Sequence, residues 1–419
     1  MKKELLRWNR GWVAAAALGV LAAATAARAD GFRNPPPGAA GLGRAGNVVA
    51  QGDDASVLSY NPANLTELKS PAAEAAVSFA RQETKFSTPD GRRATSQDPW
   101  QPLPDLYATL PVAGGDGALG LAVTTPFGQS MEWDKDSALR YLSPYYAKVT
   151  LFNFNPSAAW RLSKSVSVGA GVDVFDSSLE FRQSFPWAQA LGAPGLPDGT
   201  VRADSDGTGV GGNAGLTWKV TENQTLALAY RSRGNVNYDG DMRISGAPPA
   251  LDIGRQDFSS RLKFPASASA GYGVKLTEAW RVEADVEWLD WSANDSQPIH
   301  AGLYSPLLGT TAIRNDWKDT WTAGVGTDWT FAPGWTARAG YTWLPSPVPA
   351  DTFSPILPDA NRHVVGLGLG WRGGRHQVDL AWALSFYQDR EILRNANPAL
   401  DGTYKMSADL LAVSYAYTF

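Results

Sequence analysis

Residues 280–289, WRVEADVEWL, decide the fold. Trp280, Val282, Ala284, Val286 and Trp288 alternate with Arg281, Glu283, Asp285 and Glu287, so an extended chain has one apolar face and one face with four charges. Four charges do not pack into a protein core, and a row of Trp and Val does not belong in water. Lipid on one side and a polar lumen on the other satisfies both, so the stretch reads as a strand of a membrane β-barrel.

The same period of two recurs from about residue 75 to the C-terminus, in segments of about ten residues separated by turn signals. Fourteen such segments can be placed, among them 75–86, 103–112, 118–126, 146–161, 208–220, 225–233, 259–275, 280–289 and 406–419. Their connectors alternate in length. Gly114-Gly115-Asp116-Gly117, Thr277-Glu278, Pro333-Gly334 and Gly373-Gly374 belong to a short set, as periplasmic turns do, and the remaining connectors are long, as external loops are. Trp280/Trp288, Trp321/Trp329 and Trp335/Trp343 are each eight residues apart and share a face. At ~3.3 Å per residue and a tilt of ~40° that spacing spans roughly 20 Å of membrane depth, close to the band between two aromatic girdles.

Composition agrees. Only 19% of residues are charged against about 25% in soluble proteins, Gly is raised to 42 residues, and aromatics reach 11%. Mean hydropathy is −0.24, and no segment after the N-terminus offers the ~20 apolar residues of a spanning helix. The absence of cysteine removes disulfides, thiolate catalysis and thiolate metal sites. His300, His363 and His376 lack ligand spacing, so neither a metal nor a cofactor is expected. The acidic balance excludes nucleic acid as a partner.

Lys2, Lys3, Arg7 and Arg10 precede an apolar run from Trp12 to Ala24, and Ala27-Arg28-Ala29 supplies a small-x-small cleavage pattern. Residues 1–29 are therefore expected to be a cleaved signal peptide, 30–72 an N-terminal plug, and 73–419 the barrel. A secreted chain without cysteine fits the outer membrane of a Gram-negative bacterium. Its surroundings are then outer-membrane lipid and lipopolysaccharide, with a monomer as the working unit. The last residues alternate Leu411, Val413, Tyr415, Tyr417 and Phe419 with small or polar ones, and a terminal aromatic at Phe419 is similar to the signal read by barrel assembly machinery.

Residues 31–70 do not alternate and are rich in Gly, Pro, Asn and Asp, too polar to cross lipid. Gly41-Leu42-Gly43-Arg44-Ala45-Gly46 matches G-x-G-x-x-G, but without a preceding strand or βαβ unit it is no dinucleotide site. Asp53-Asp54 and Asp204-x-Asp206-Gly lack the spacing of a calcium loop. Gly31-Phe32, the glycine motif, Asp53-Asp54-Ala55-Ser56 and Tyr60-Asn61-Pro62-Ala63 together resemble the hatch of the FadL/TodX family, channels for long-chain fatty acids and aromatic hydrocarbons. Thr125-Pro126-Phe127-Gly128, Asn153-Phe154-Asn155-Pro156-Ser157, Phe264-Pro265-Ala266-Ser267 and Leu357-Pro358-Asp359-Ala360-Asn361-Arg362 extend the resemblance in order through the barrel.

The resemblance implies an all-β, fourteen-stranded antiparallel transmembrane barrel with an N-terminal hatch inside the lumen. It implies passive uptake of an apolar ligand, which moves to a pocket beside Gly31 and Phe32 and leaves laterally at a kink in the third strand. Pro126 and Gly128 either mark that kink, because proline cannot donate to the ladder, or simply end the strand, and Asn61, Pro62 and Ala63 are expected to pack the hatch against it. Trp133, Tyr141, Tyr145, Tyr146, Phe185 and Trp187, read as loop aromatics, either collect substrate or pack together. Arg231, inward by alternation, is the candidate partner for a ligand carboxylate. A general diffusion porin would need an unplugged lumen, and a barrel-embedded lipid hydrolase would need a nucleophile near His363 or His376, so no enzyme is expected.

Overall fold

The computed structural model describes residues 30–97, 99–249, 252, 254–305 and 311–419; the expected signal peptide lies outside the described residues. The strands are β1 (Ala72–Ser87), β2 (Gln101–Val112), β3 (Gly117–Thr124, resumed as Gly128–Trp133), β4 (Tyr146–Arg161), β5 (Val166–Phe185), β6 (Gly199–Thr221) and β7 (Gln224–Arg231, resumed as Gly234–Ile244). They continue as β8 (Gln256–Phe264, resumed as Ser267–Thr277), β9 (Trp280–Leu289), β10 (Thr320–Ala332), β11 (Trp335–Leu344), β12 (Arg362–Gly373), β13 (His376–Tyr387) and β14 (Gly402–Thr418). Each pairs antiparallel with its sequence neighbour, and β1 closes the barrel on β14 from Ala72↔Thr418 to Ser87↔Thr403. Closure removes the two edges that the first and last strands would otherwise present to lipid.

The alternation expected of β9 is present. Glu283 and Asp285 are buried toward the lumen, while Trp280 points outward and pairs in register with Trp329, as Trp288 does with Trp321. Cross-strand tryptophans at both ends of these strands form the aromatic rows anticipated from their spacing.

Four expectations about strands need correction. β3 stops at Thr124 instead of running to 126. β6 begins at Gly199, not 208, because Val201, Ala203 and Ser205 keep facing inward while Arg202 and Asp206 face water. β7 runs on to Ile244, and β8 breaks at Pro265 where β7 breaks at Ser232-Arg233. The outer parts of these strands stand above lipid and carry charge outside, so they lack the apolar face that marks a spanning strand.

Above the membrane the long loops fold over one aromatic-rich core that includes Phe86, Trp133, Trp187, Tyr238, Tyr304 and Tyr404. Inside the barrel, residues 30–71 lie against the inner faces of the strands, with Phe32 reaching into that core. They contain two short helices, α1 (Ala39–Gly43) and α2 (Val57–Tyr60), and a 3-10 helix, Pro62–Glu67, that Asn61 caps by accepting the Ala63 amide.

Candidate functional site

The inner wall is shaped to receive residues 42–63. Glycines stand where their backbone touches the wall: a Cβ on Gly340 would lie 2.1 Å from the Arg44 carbonyl carbon, on Gly366 2.4 Å from the Leu42 oxygen, and on Gly169 2.5 Å from Pro62. Polar side chains of the wall then accept the segment's amides. Val49 N donates to Asp285 (3.2 Å), Ala50 N to Glu283 (2.5 Å), Ala55 N to Glu74 (3.0 Å) and Ala39 N to Ser414 Oγ (2.8 Å). Arg44, buried, pairs with Asp328 at 2.9 Å; Asp328 also takes Arg338, which reaches Asp379, and Arg281 bridges Asp53 and Asp328. A buried charge left alone costs several kcal/mol, so these partners hold one another in place.

Residues 30–37 are attached differently. Arg33 forms a bridge with Phe127, Asn34 N donates to Pro126 O (3.1 Å), Gly128 N donates to Phe32 O (3.0 Å), and Asn34 Nδ2 donates to Thr125 O (2.7 Å). These bonds fill the break in β3. Thr124 pairs with Asn153 and Gly128 with Thr150, so β3 spends one residue more than β4 over that interval, which is a bulge. On the other side the ladder between β2 and β3 covers only Leu106–Val112 against 117–123. Among the described residues, 101–105 of β2 have ladder partners only on β1, and Pro102 and Pro104 have no N–H to offer. Phe79, Leu106 and Phe154 are exposed on the lipid side around this gap.

Behind the gap lies a cavity of about 550 Å³, lined by residues that include Arg33, Asn34, Gln101, Phe127, Arg231 and Glu287. At its upper end Phe32 is buried among Phe127, Phe264, Trp291 and Trp317, with ring centroids 5.0–6.1 Å away. Gly31 (φ 58°) has no room for a side chain, since a Cβ would lie 2.8 Å from both Trp291 and Trp317. Its amide donates to Asp359 (3.2 Å), which also accepts from Ser346 Oγ (2.9 Å). Burial pushes the carboxyls of Asp30 and Asp359 up to about 6, against the opposing pull of Arg33 and Arg362 on the first and of Arg362 on the second.

The structure thus brings together Gly31, Phe32, Pro126 and Gly128, and puts Tyr146 and Arg231 on the cavity wall. It sets other expected residues elsewhere. Asn61-Pro62-Ala63 sits on β5 and β6, not on the third strand: Asn61 Nδ2 donates to Thr217 Oγ1 (3.1 Å), and Gly169 and Gly215 make room for it and Pro62. The break in β3 is met by Arg33 and Asn34 instead. Trp133 lies in β3 and Trp187 opens a short helix, Trp187–Leu191, between β5 and β6, both 1% exposed; Trp133 donates to Pro355 O and Trp187 to Ser245 O. Tyr141 donates to Asp198, Tyr145 packs on the loop core, and Phe185 meets Trp187 edge to face. Trp133, Tyr145, Phe185 and Trp187 thus pack into the loop core. Arg231 points inward, but Asp173 already holds its guanidinium. Phe419 is 65% exposed, touching Tyr417, with its amide on Pro71 O.

Sequence reasoning missed Arg33, Asn34, Asp359 and Glu287 as a group. One signal was available: Glu287 is the fourth charge on the inner face of β9, and a lumen-facing carboxylate calls for a cation.

Comparison with known proteins gives a consistent result. Residues 20–419 match the family described as outer membrane protein transport protein (OMPP1/FadL/TodX). The long-chain fatty acid transport protein of Escherichia coli O6:H1 is 28% identical over 396 residues, covering 85% of this chain and 86% of the relative. A Pseudomonas aeruginosa FadL homologue superposes with a TM-score of 0.80 at 24% identity, over 93% of this chain and 100% of the other. The P. putida toluene transporter TodX superposes at 0.70 and 19% identity, over 91% and 98%.

Proposed function

The chain belongs to the outer membrane transport protein family that includes FadL and TodX, and from that premise we propose that it takes up hydrophobic compounds, long-chain fatty acids or aromatic and aliphatic hydrocarbons, by passive passage through a plugged barrel with lateral exit. The observation that carries this reading is the coincidence of the cavity, the β3 break and the unpaired edge of β2 at one level of the wall.

Residues 1–29 act as the signal peptide, 30–72 as the hatch and 73–419 as the barrel. The lower hatch is a fixed plug, because its backbone lies in a glycine-lined trench and its charges are matched to the wall. An apolar ligand gains nothing from a water-filled pore, whereas a dry exit into lipid retains the hydrophobic gain of leaving water, about 25 cal/mol per Å². Gly31, Phe32, Tyr146 and Arg231 form part of the ligand path, with Pro126 and Gly128 at its door. Trp133, Tyr141, Tyr145, Phe185 and Trp187 shape the loops that cover it. Lipopolysaccharide surrounds the outer wall, and Phe419 serves recognition by the assembly machinery, since it supports little else.

Expression in a Gram-negative strain lacking such a channel tests the reading. Saturable uptake of palmitate or toluene, with the ligand identified by mass spectrometry of protein purified in mild detergent, is the expected result. Free passage of small polar solutes without hydrophobic uptake would make the protein a porin and overturn it.

A further inference from the structure

Three arginines at or beside the cavity are each held by a carboxylate, and their exposures differ. Arg231 and Asp173 have side chains 19% and 0% exposed, and Arg362 and Asp30 17% and 4%. Arg33 and Glu287 are 32% and 16% exposed, so theirs is the pair an incoming group can reach. The Arg33 guanidinium meets both Glu287 oxygens, at 2.5 and 3.2 Å, and Ser269 Oγ donates to Oε1 at 3.2 Å. A second carboxylate offers the same two-pronged geometry, so exchanging one for the other preserves the charge-assisted bonds.

Arg33 is also the residue whose neighbours close the door. Phe32 O takes the Gly128 amide and Asn34 binds the oxygens of Thr125 and Pro126. Moving the Arg33 side chain away from β9 therefore pulls on the three residues that substitute for the missing ladder of β3. Orphaned backbone groups at that level are costly in a dry environment, which keeps the door shut until another partner draws Arg33 off.

We propose that Arg33 and Glu287 form a carboxylate-exchange latch: the anionic head of an amphiphile takes Arg33 from Glu287 and thereby frees residues 32–34 from the break in β3. This rests on the transport reading above and narrows its substrate to molecules with an apolar tail and an anionic head. A neutral hydrocarbon of the same length fits the cavity but does not work the latch.

The test compares palmitate with hexadecanol, which differ only in the head. In the wild type, palmitate should accelerate hydrogen–deuterium exchange at the Gly128 amide and hexadecanol at equal concentration should not. The ratio of palmitate to hexadecanol uptake should fall at least about tenfold in Arg33→Gln, whereas Glu287→Gln should exchange rapidly at Gly128 with no ligand present. Arg33→Lys keeps charge without the fork and should give an intermediate ratio; it serves if Arg33→Gln fails to fold into a heat-modifiable barrel. Equal acceleration by both ligands in the wild type, or an unchanged ratio in the Arg33 variants, overturns the latch while uptake of both leaves the transport reading intact. Uptake of neither ligand by the wild type refutes transport and the latch with it.

Discussion

At the scale of single residues, the site is governed by carboxylates denied water. Asp359 is buried, accepts the Gly31 amide and has its carboxyl pushed up to about 6 by burial, as has Asp30. Each group binds its proton more tightly when residues 30–34 are docked than when they are loose. Docking is therefore favoured at low pH, and that advantage is lost as pH rises through about 6. Exchange of the Gly31 amide, corrected for its intrinsic rate, should slow between pH 7 and pH 5, and Asp359→Asn should shallow that dependence to the part due to Asp30. Faster corrected exchange at pH 5 would show the sign to be wrong. None of this was legible in the sequence. Asp359 stands in a Pro-Asp-Ala-Asn stretch that carries the family resemblance but no sign of its burial, and its partner is 328 positions away.

At the scale of elements, legibility followed the range of the forces. The bounds of β4 and β9 agree with the residues expected from period-two alternation, because side-chain direction along a strand is a local property. The breaks in β7 and β8 were not visible, although Pro265 hints at one, because a break depends on what the neighbouring strand does at the same level. The charges of β9 show the same division. Their inward direction was readable, whereas their partners Asp53, Ala50, Val49 and Arg33 lie 228 to 254 positions away. The glycine trench belongs to this scale also. At Gly340 a side chain would overlap the Arg44 backbone, so Gly340→Val should keep the barrel folded and heat-modifiable while unseating the turn at 42–47. Planar-bilayer recordings should then show ion conductance well above the wild type. An unchanged conductance would mean that the lower hatch is not the seal.

At the scale of the whole molecule, residues 30–67 attach to the inner wall in two ways. Below, the wall and residues 38–67 interlock through buried ion pairs and backbone contact; above, residues 32–34 meet the break in β3 through three hydrogen bonds and the Phe32–Phe127 ring contact. The loop aromatics Trp133, Tyr145, Phe185 and Trp187, expected to be either a collecting groove or packing, pack in the loop core, and the route proposed above runs through the wall into the outer leaflet. The most direct test of that route is uptake by a variant lacking Pro126. One residue removed restores the register of β3 with β4 and supplies the missing amide, so the strand can run unbroken and pair along β2 up to its prolines. The deletion variant should reach the outer membrane as a heat-modifiable barrel and lose saturable uptake of palmitate by at least about tenfold, a change of ~1.4 kcal/mol or more in the transport barrier. Wild-type uptake by a properly assembled deletion variant would contradict lateral exit through the third strand.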